Sequence, residues 1–122
     1  MKIIAFTNNK GGVGKTACSV QFSHYSALKN KKTLLIDIEY PGHSTTAFLS
    51  DSDVHEDNSS IGLFTEDFTG TPINIDDNLD MLVTNPKLNH IDKFDVQAIL
   101  NFKNNVKKIG KKYDVIIIDP PP

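Results

Sequence analysis

The run Lys10-Gly11-Gly12-Val13-Gly14-Lys15-Thr16, a few residues after the apolar Ile3-Ile4-Ala5-Phe6, constrains this chain more than any other feature. An apolar strand that feeds a glycine-rich turn, with a helix opening at the Lys-Thr pair, builds a phosphate cradle. Glycines let successive backbone N–H groups curl around an oxyanion without Cβ clashes. The opening turn of the helix adds free N–H groups and the positive end of its dipole. In this pattern Lys15 supplies a point charge for the β- and γ-phosphates, and Thr16 a hydroxyl for Mg²⁺. The strict pattern has a glycine where this chain has Asn9. Asn is the residue after glycine that best tolerates left-handed backbone angles, so the loop can still close.

The rest of the chain alternates strand and helix, which predicts an α/β fold with a parallel sheet covered by helices. Residues 2–7 read as a buried strand and 15–29 as a helix, with Ala17, Val20, His24, Ala27 and Leu28 on one face. Thr33–Asp37 reads as a second buried strand, and 44–50 as a short helix capped by Ser44. Residues 51–80 hold nine acids and no lysine. They read as an excursion of loops with a short helix near Ile61–Phe68. Leu79–Val83 predicts a third strand. Val96, Ile99, Leu100, Val106 and Ile109 predict a helix over 93–109, with Gly110 at its C-terminal cap. Asp114–Asp119 predicts a fourth, buried strand.

A chain of 122 residues suits one domain with one modest core. A net charge of −2 points to neither nucleic acid nor membrane by bulk charge. All 13 basic residues are lysines, so no residue here can act as an arginine finger or a bidentate guanidinium clamp. The single cysteine, Cys18, excludes an internal disulfide and fits a reducing cytosol, where it reads as an inert buried thiol. Met1-Lys2 leads straight into a strand, with no signal peptide in view, and no apolar run reaches transmembrane length.

Two acids close two apolar strands, Asp37 and Asp119. In a parallel sheet the strand C-termini lie on the same edge as the phosphate loop, so both carboxylates should face the Mg²⁺ that Thr16 binds. His24 reads as a core or boundary residue, and His43, His55 and His90 lack metal-ligand spacing. Lys103, Lys107, Lys108, Lys111 and Lys112 form a basic cluster. It reads as a solvated helix face, with weak contact to DNA phosphates as the sharper alternative.

The string KGGVGKT, with both lysines, resembles the deviant phosphate-loop ATPases of the ParA/MinD family, which partition plasmids and chromosomes or position cell division. The resemblance implies a P-loop NTPase-type sheet, ATP with Mg²⁺, and a nucleotide-sandwich homodimer. In such a dimer Lys10 would reach the partner's phosphates. Residues Lys10, Gly11, Gly12, Val13, Gly14, Lys15, Thr16 and Ala17 would then hold the nucleotide. Ala17 stands where the family often has Thr or Ser. Tyr113–Pro121 resembles the family's Walker B element, with Pro120 where Cys is usual. Leu34–His43 resembles its first switch. There Asp37 matches the acid that assists at the metal, and Gly42 the family glycine. Glu39 stands where an aspartate orients the attacking water, one methylene longer. Tyr40, Pro41 and His43 depart from Pro, Gln and Asn.

The resemblance implies catalytic roles for Lys10, Lys15 and Glu39, and metal roles for Thr16, Asp37 and Asp119, the two acids acting through water. It covers nearly the whole chain but only about the first half of a family member. Residues 1–122 are therefore expected to be the N-terminal nucleotide-binding part of one ATPase domain, ending after the Walker B strand. The Ile3–Phe6 strand would be central, flanked by the Walker B strand and by one from the missing half. A ParB-like partner and non-specific DNA are implied mostly through that half, in the cytoplasm and off the membrane. A non-hydrolysing nucleotide-binding module is the alternative. A MinD-like ATPase would need an amphipathic C-terminal helix, and a tyrosine autokinase a terminal tyrosine cluster.

Overall fold

The computed structural model describes residues 1–6, 13–50, 53–92 and 95–120. Within them the chain builds one five-stranded sheet with helices on both faces. The strands are β1 (Lys2–Ala5), β2 (Thr33–Asp37), β3 (Ile73–Asp76), β4 (Leu79–Leu82) and β5 (Val115–Asp119), in the order β1-β5-β2-β4-β3. The pairs β1–β5, β5–β2 and β2–β4 are parallel. The near-continuous apolar runs Leu34-Leu35-Ile36 and Val115-Ile116-Ile117 take the two central places, where both faces are covered.

Because side chains alternate across a strand, each run feeds two cores. Leu34, Ile36, Leu82 and Ile116 pack with Leu63 and Val106 on the face covered by α3 (Val96–Ile109). Leu35, Met81, Val83 and Ile117 pack on the other face with Phe22 and Phe48. These two rings belong to α1 (Val13–Leu28) and α2 (His43–Phe48). Each fully buried side chain of this kind contributes roughly 1.5–3 kcal/mol of transfer free energy.

Several expectations change. Residues 73–76 form a fifth strand, antiparallel to β4, so the sheet is mixed. Asn78, at φ 63°, takes the left-handed turn between β3 and β4. The acidic excursion holds 3₁₀ turns at Glu56–Asn58 and Ser60–Phe64 in place of a helix at 61–68. Buried Asn105 ties it to α3: its carboxamide donates to the Leu63 and Thr65 carbonyls and accepts from the Phe68 N–H.

The buried stripe of α1 is Ser19, Ser23, Ser26 and Ala27, while Ala17, His24 and Leu28 are exposed. Ser19 and Ser23 donate to the carbonyls four residues back, so small hydroxyls enter the interface already satisfied. Cys18 lies on the exposed side. Gly42, not Ser44, caps α2, which is shorter than expected. Gly110 does close α3, in right-handed geometry, and the lysines around it are exposed.

β1 is the other departure. The sequence predicts a buried strand here, yet Lys2, Ile3 and Ala5 are exposed, Ile3 by 47%. β5 pairs one side of β1, and no described strand pairs the other. An open apolar strand edge is a template for another chain. The 122-residue chain should therefore self-associate. Sedimentation velocity at rising concentration should show dimers or larger species, and a monomer at every concentration would mean that the edge is protected.

Candidate active site at the carboxyl ends of the strands

Asp37 and Asp119 close β2 and β5 and stand opposite each other in the parallel register. Both are fully buried. The first turn of α1 lies beside them and brings Lys15 and Thr16 to the same edge. The Thr16 hydroxyl donates to Asp119 Oδ2 at 3.1 Å, and the Ser44 hydroxyl donates to the same oxygen. Asp119 Oδ1 is buried with no hydrogen bond, 3.8 Å from Lys15 Nζ. The Lys15 ammonium is itself buried. It donates to the Pro120 carbonyl and lies 3.5 Å from Glu39 Oε2.

Asp37 faces a different set of donors. Oδ1 accepts from the Glu39 N–H at 3.1 Å, and Oδ2 from the Thr45 N–H at 2.9 Å and the Thr45 hydroxyl at 2.7 Å. The Asp37 carbonyl accepts from the Ser60 hydroxyl at 2.6 Å. Burial nevertheless pushes the Asp37 carboxyl up from an ordinary 3.8 to about 6, outweighing those hydrogen bonds, with Asp119 adding a smaller repulsion.

The loop between β2 and α2 fits against this cluster only because residue 42 is glycine. A Cβ there would lie 2.4 Å from Asp37 Oδ2 and 2.5 Å from Thr84 Cγ2. Glu39 is carried over the edge by this loop and faces Lys15. With Thr16, Ala17, Val20, Gln21, His43 and Ala47 it lines a cavity of about 440 Å³ between α1 and α2. His43 Nδ1 lies 4.0 Å from Glu39 Oε2 and is mostly exposed.

The structure thus brings together Lys15, Thr16, Glu39 and Asp119, with Asp37 one strand away and already engaged. Gly14 and Ala17 sit exposed in the first turns of α1. Lys10, Gly11 and Gly12 lie outside the described residues, as does the side chain of Val13. Ser44, Thr45, Ser60 and Thr84 were not foreseen as site residues. Their one visible signal was the hydroxyl run Ser44-Thr45-Thr46 just after the loop.

A family model described as an AAA domain matches residues 1–122. The chain belongs to this AAA domain family. It is similar to the sporulation initiation inhibitor protein Soj of Bacillus subtilis strain 168, 33% identical over 129 residues, 99% of this chain and 50% of Soj. It also resembles a plasmid partition protein from Borrelia burgdorferi, with TM-score 0.85 and 29% identity over 99% of this chain and 56% of that one. A plasmid partition protein from Borrelia burgdorferi B31 bound to AMPPNP gives TM-score 0.82 and 29% identity over 99% of this chain and 52% of that one. The relatives of this AAA domain include Soj and ParA family proteins, and the chain spans about half the length of the curated relatives it matches. No helix among the described residues is long and apolar enough to cross a membrane.

The raised carboxyl of Asp37 has a consequence for stability. Between pH of about 4 and about 6 the folded chain holds a proton there that the unfolded chain has released. The neutral carboxyl therefore contributes fully below the unfolded value of 3.8, and that contribution is lost as pH rises through about 6. The loss amounts to about 3 kcal/mol. Urea titrations of the parent and Asp37→Asn across this window should diverge by an amount of that order, with the flatter profile in the variant. Parallel profiles would remove Asp37 as the source.

Proposed function

We propose that this chain binds ATP with Mg²⁺ and hydrolyses its γ-phosphate as the N-terminal nucleotide-binding part of a ParA-like partition ATPase. The reading rests on one observation above all. A buried ammonium, Lys15, lies beside a bonded hydroxyl–carboxylate pair, Thr16–Asp119, with a second carboxylate, Glu39, across from it. Lys15 supplies positive charge at the strand ends, where phosphate oxygens would compete with Pro120 O and the two carboxylates for its N–H groups.

The residues present fit Mg²⁺. Asp119 Oδ1 is buried without a hydrogen-bond donor, and the Thr16 hydroxyl sits on its other oxygen. This is an oxygen-only donor set, as a hard cation prefers. No cluster of three His, Cys, Asp or Glu side chains among the described residues would hold a metal alone. An ion here would take Thr16 directly and Asp119 and Asp37 through water, with phosphate oxygens completing its shell. When bound, it neutralises charge on the transferring phosphoryl group. Glu39 accepts a hydrogen bond from water and aims it, and Lys10 serves the nucleotide of a partner copy in a homodimer. A ParB-like partner, non-specific DNA and a cytoplasmic setting belong to the same proposal for the longer protein.

A non-hydrolysing module is the second reading, favoured by the 3.5 Å contact that holds Glu39 on Lys15. Two variants separate them. Lys15→Ala should weaken Mg-ATP binding about 10- to 100-fold, the worth of a charge-assisted contact. Glu39→Ala should leave binding nearly intact and lower phosphate release about 100-fold or more, since a water-orienting group acts in the transition state. Unchanged binding in Lys15→Ala would overturn the nucleotide site. Turnover in Glu39→Ala equal to the parent's would overturn the role of Glu39.

A further inference from the structure

Thr84 lies two residues past β4 and belongs to none of the motifs that mark the site. Its neighbours nevertheless lead to Glu39 by two routes. Its hydroxyl donates to the Glu39 carbonyl. Its N–H donates to the Thr45 hydroxyl at 2.9 Å, and that hydroxyl donates onward to Asp37 Oδ2 at 2.7 Å. Asp37 Oδ1 accepts from the Glu39 N–H at 3.1 Å, closing a ring Thr84–Thr45–Asp37–Glu39–Thr84. Glu39 is therefore held on both sides of its α-carbon, at its N–H by β2 and at its carbonyl by the end of β4. The Thr84 side chain also crowds Gly42, so it touches the loop on both flanks of Tyr40-Pro41.

We infer that Thr84 is a positioning residue for Glu39, with the Thr45 hydroxyl as the link that joins it to Asp37. The inference rests on the reading that Glu39 orients the attacking water. The physical need is specific. Glu has three side-chain torsions, and in this loop only the backbone clamp limits where its carboxylate begins. The Lys15 contact at 3.5 Å lies at the far end of the side chain and cannot hold the backbone. Displacing a reacting or orienting group by about 1 Å costs up to about 100-fold in rate. A hydroxyl that fixes the Glu39 carbonyl is worth more to turnover than to nucleotide affinity, because the Thr84 partners are Glu39, Thr45 and Gly42 and none of these is read as a phosphate-binding residue.

Two substitutions isolate the hydroxyl. Thr84→Val keeps the β-branched shape and removes only the donor, while Thr84→Ser keeps the donor and removes the methyl group. Each is measured on the full chain for Mg-ATP affinity, for kcat and KM of phosphate release, and for hydrogen exchange of the Glu39 amide without nucleotide. Thr84→Val should leave affinity within about twofold, lower kcat about tenfold or more, and speed exchange at Glu39 about tenfold, and Thr84→Ser should restore both. If Thr84→Val fails to fold, Thr84→Ala set against Thr84→Ser asks the same question. Unchanged kcat and exchange in Thr84→Val would overturn the inference, as would an equal loss in Thr84→Ser, which would assign the effect to methyl packing against Gly42. If the parent binds Mg-ATP but releases no phosphate, the hydrolysis reading fails, and the exchange comparison still decides whether Thr84 holds Glu39.

Discussion

Two buried carboxylates at adjacent strand ends impose the constraint that organises this molecule. β2 and β5 are neighbours in parallel register, so Asp37 and Asp119 face the same edge side by side. Leaving either without donors would cost several kcal/mol. The chain meets that cost with hydroxyls and backbone N–H groups recruited from three separate segments: Thr16 of α1, Ser44 and Thr45 of α2, and the loop at Glu39. Much of the geometry around the site follows from where those donors must stand.

The two acids are not equivalent, and the difference separates chemistry from scaffolding. Both oxygens of Asp37 already accept hydrogen bonds, and its partners are the loop and the helix that follow it, so it acts on the position of Glu39. Asp119 retains an unbonded oxygen beside a buried ammonium. That oxygen is the polar atom an incoming cation or water would satisfy. Gly42 makes the arrangement possible, because the loop backbone passes where any side chain would strike Asp37 and Thr84.

Much of this was legible in the sequence. The strand–turn–Lys-Thr pattern announced the edge at which Lys15 and Thr16 stand beside Asp119. The apolar runs ending in Asp37 and Asp119 announced two central strands and the side on which they end. Local patterning carried these signals, because apolar runs and helical periodicity are written over a few residues. The same locality explains the failures. Ile73-Asn74-Ile75-Asp76 alternates as a strand should, with half-buried isoleucines, but Gly70 and Pro72 before it and Asp76-Asp77 at its end masked it. The serine stripe of α1 looked like a polar face, since nothing in the string shows that each hydroxyl can bond back to its own helix.

By itself the sequence determined four of the five strands and the three α-helices in their order, the placing of Lys15 and Thr16 at a helix start, and the two acids at strand ends. Each is a property of a contiguous segment, set by periodicity and by the backbone freedom of glycine. Only the tertiary structure decided that Thr45 and Thr84, separated by 39 residues, would close a ring around the Glu39 backbone, and that Asn105 would anchor the acidic excursion. Those outcomes depend on which strands become neighbours and on the need of every buried polar atom for a partner, and neither is expressed until the chain packs.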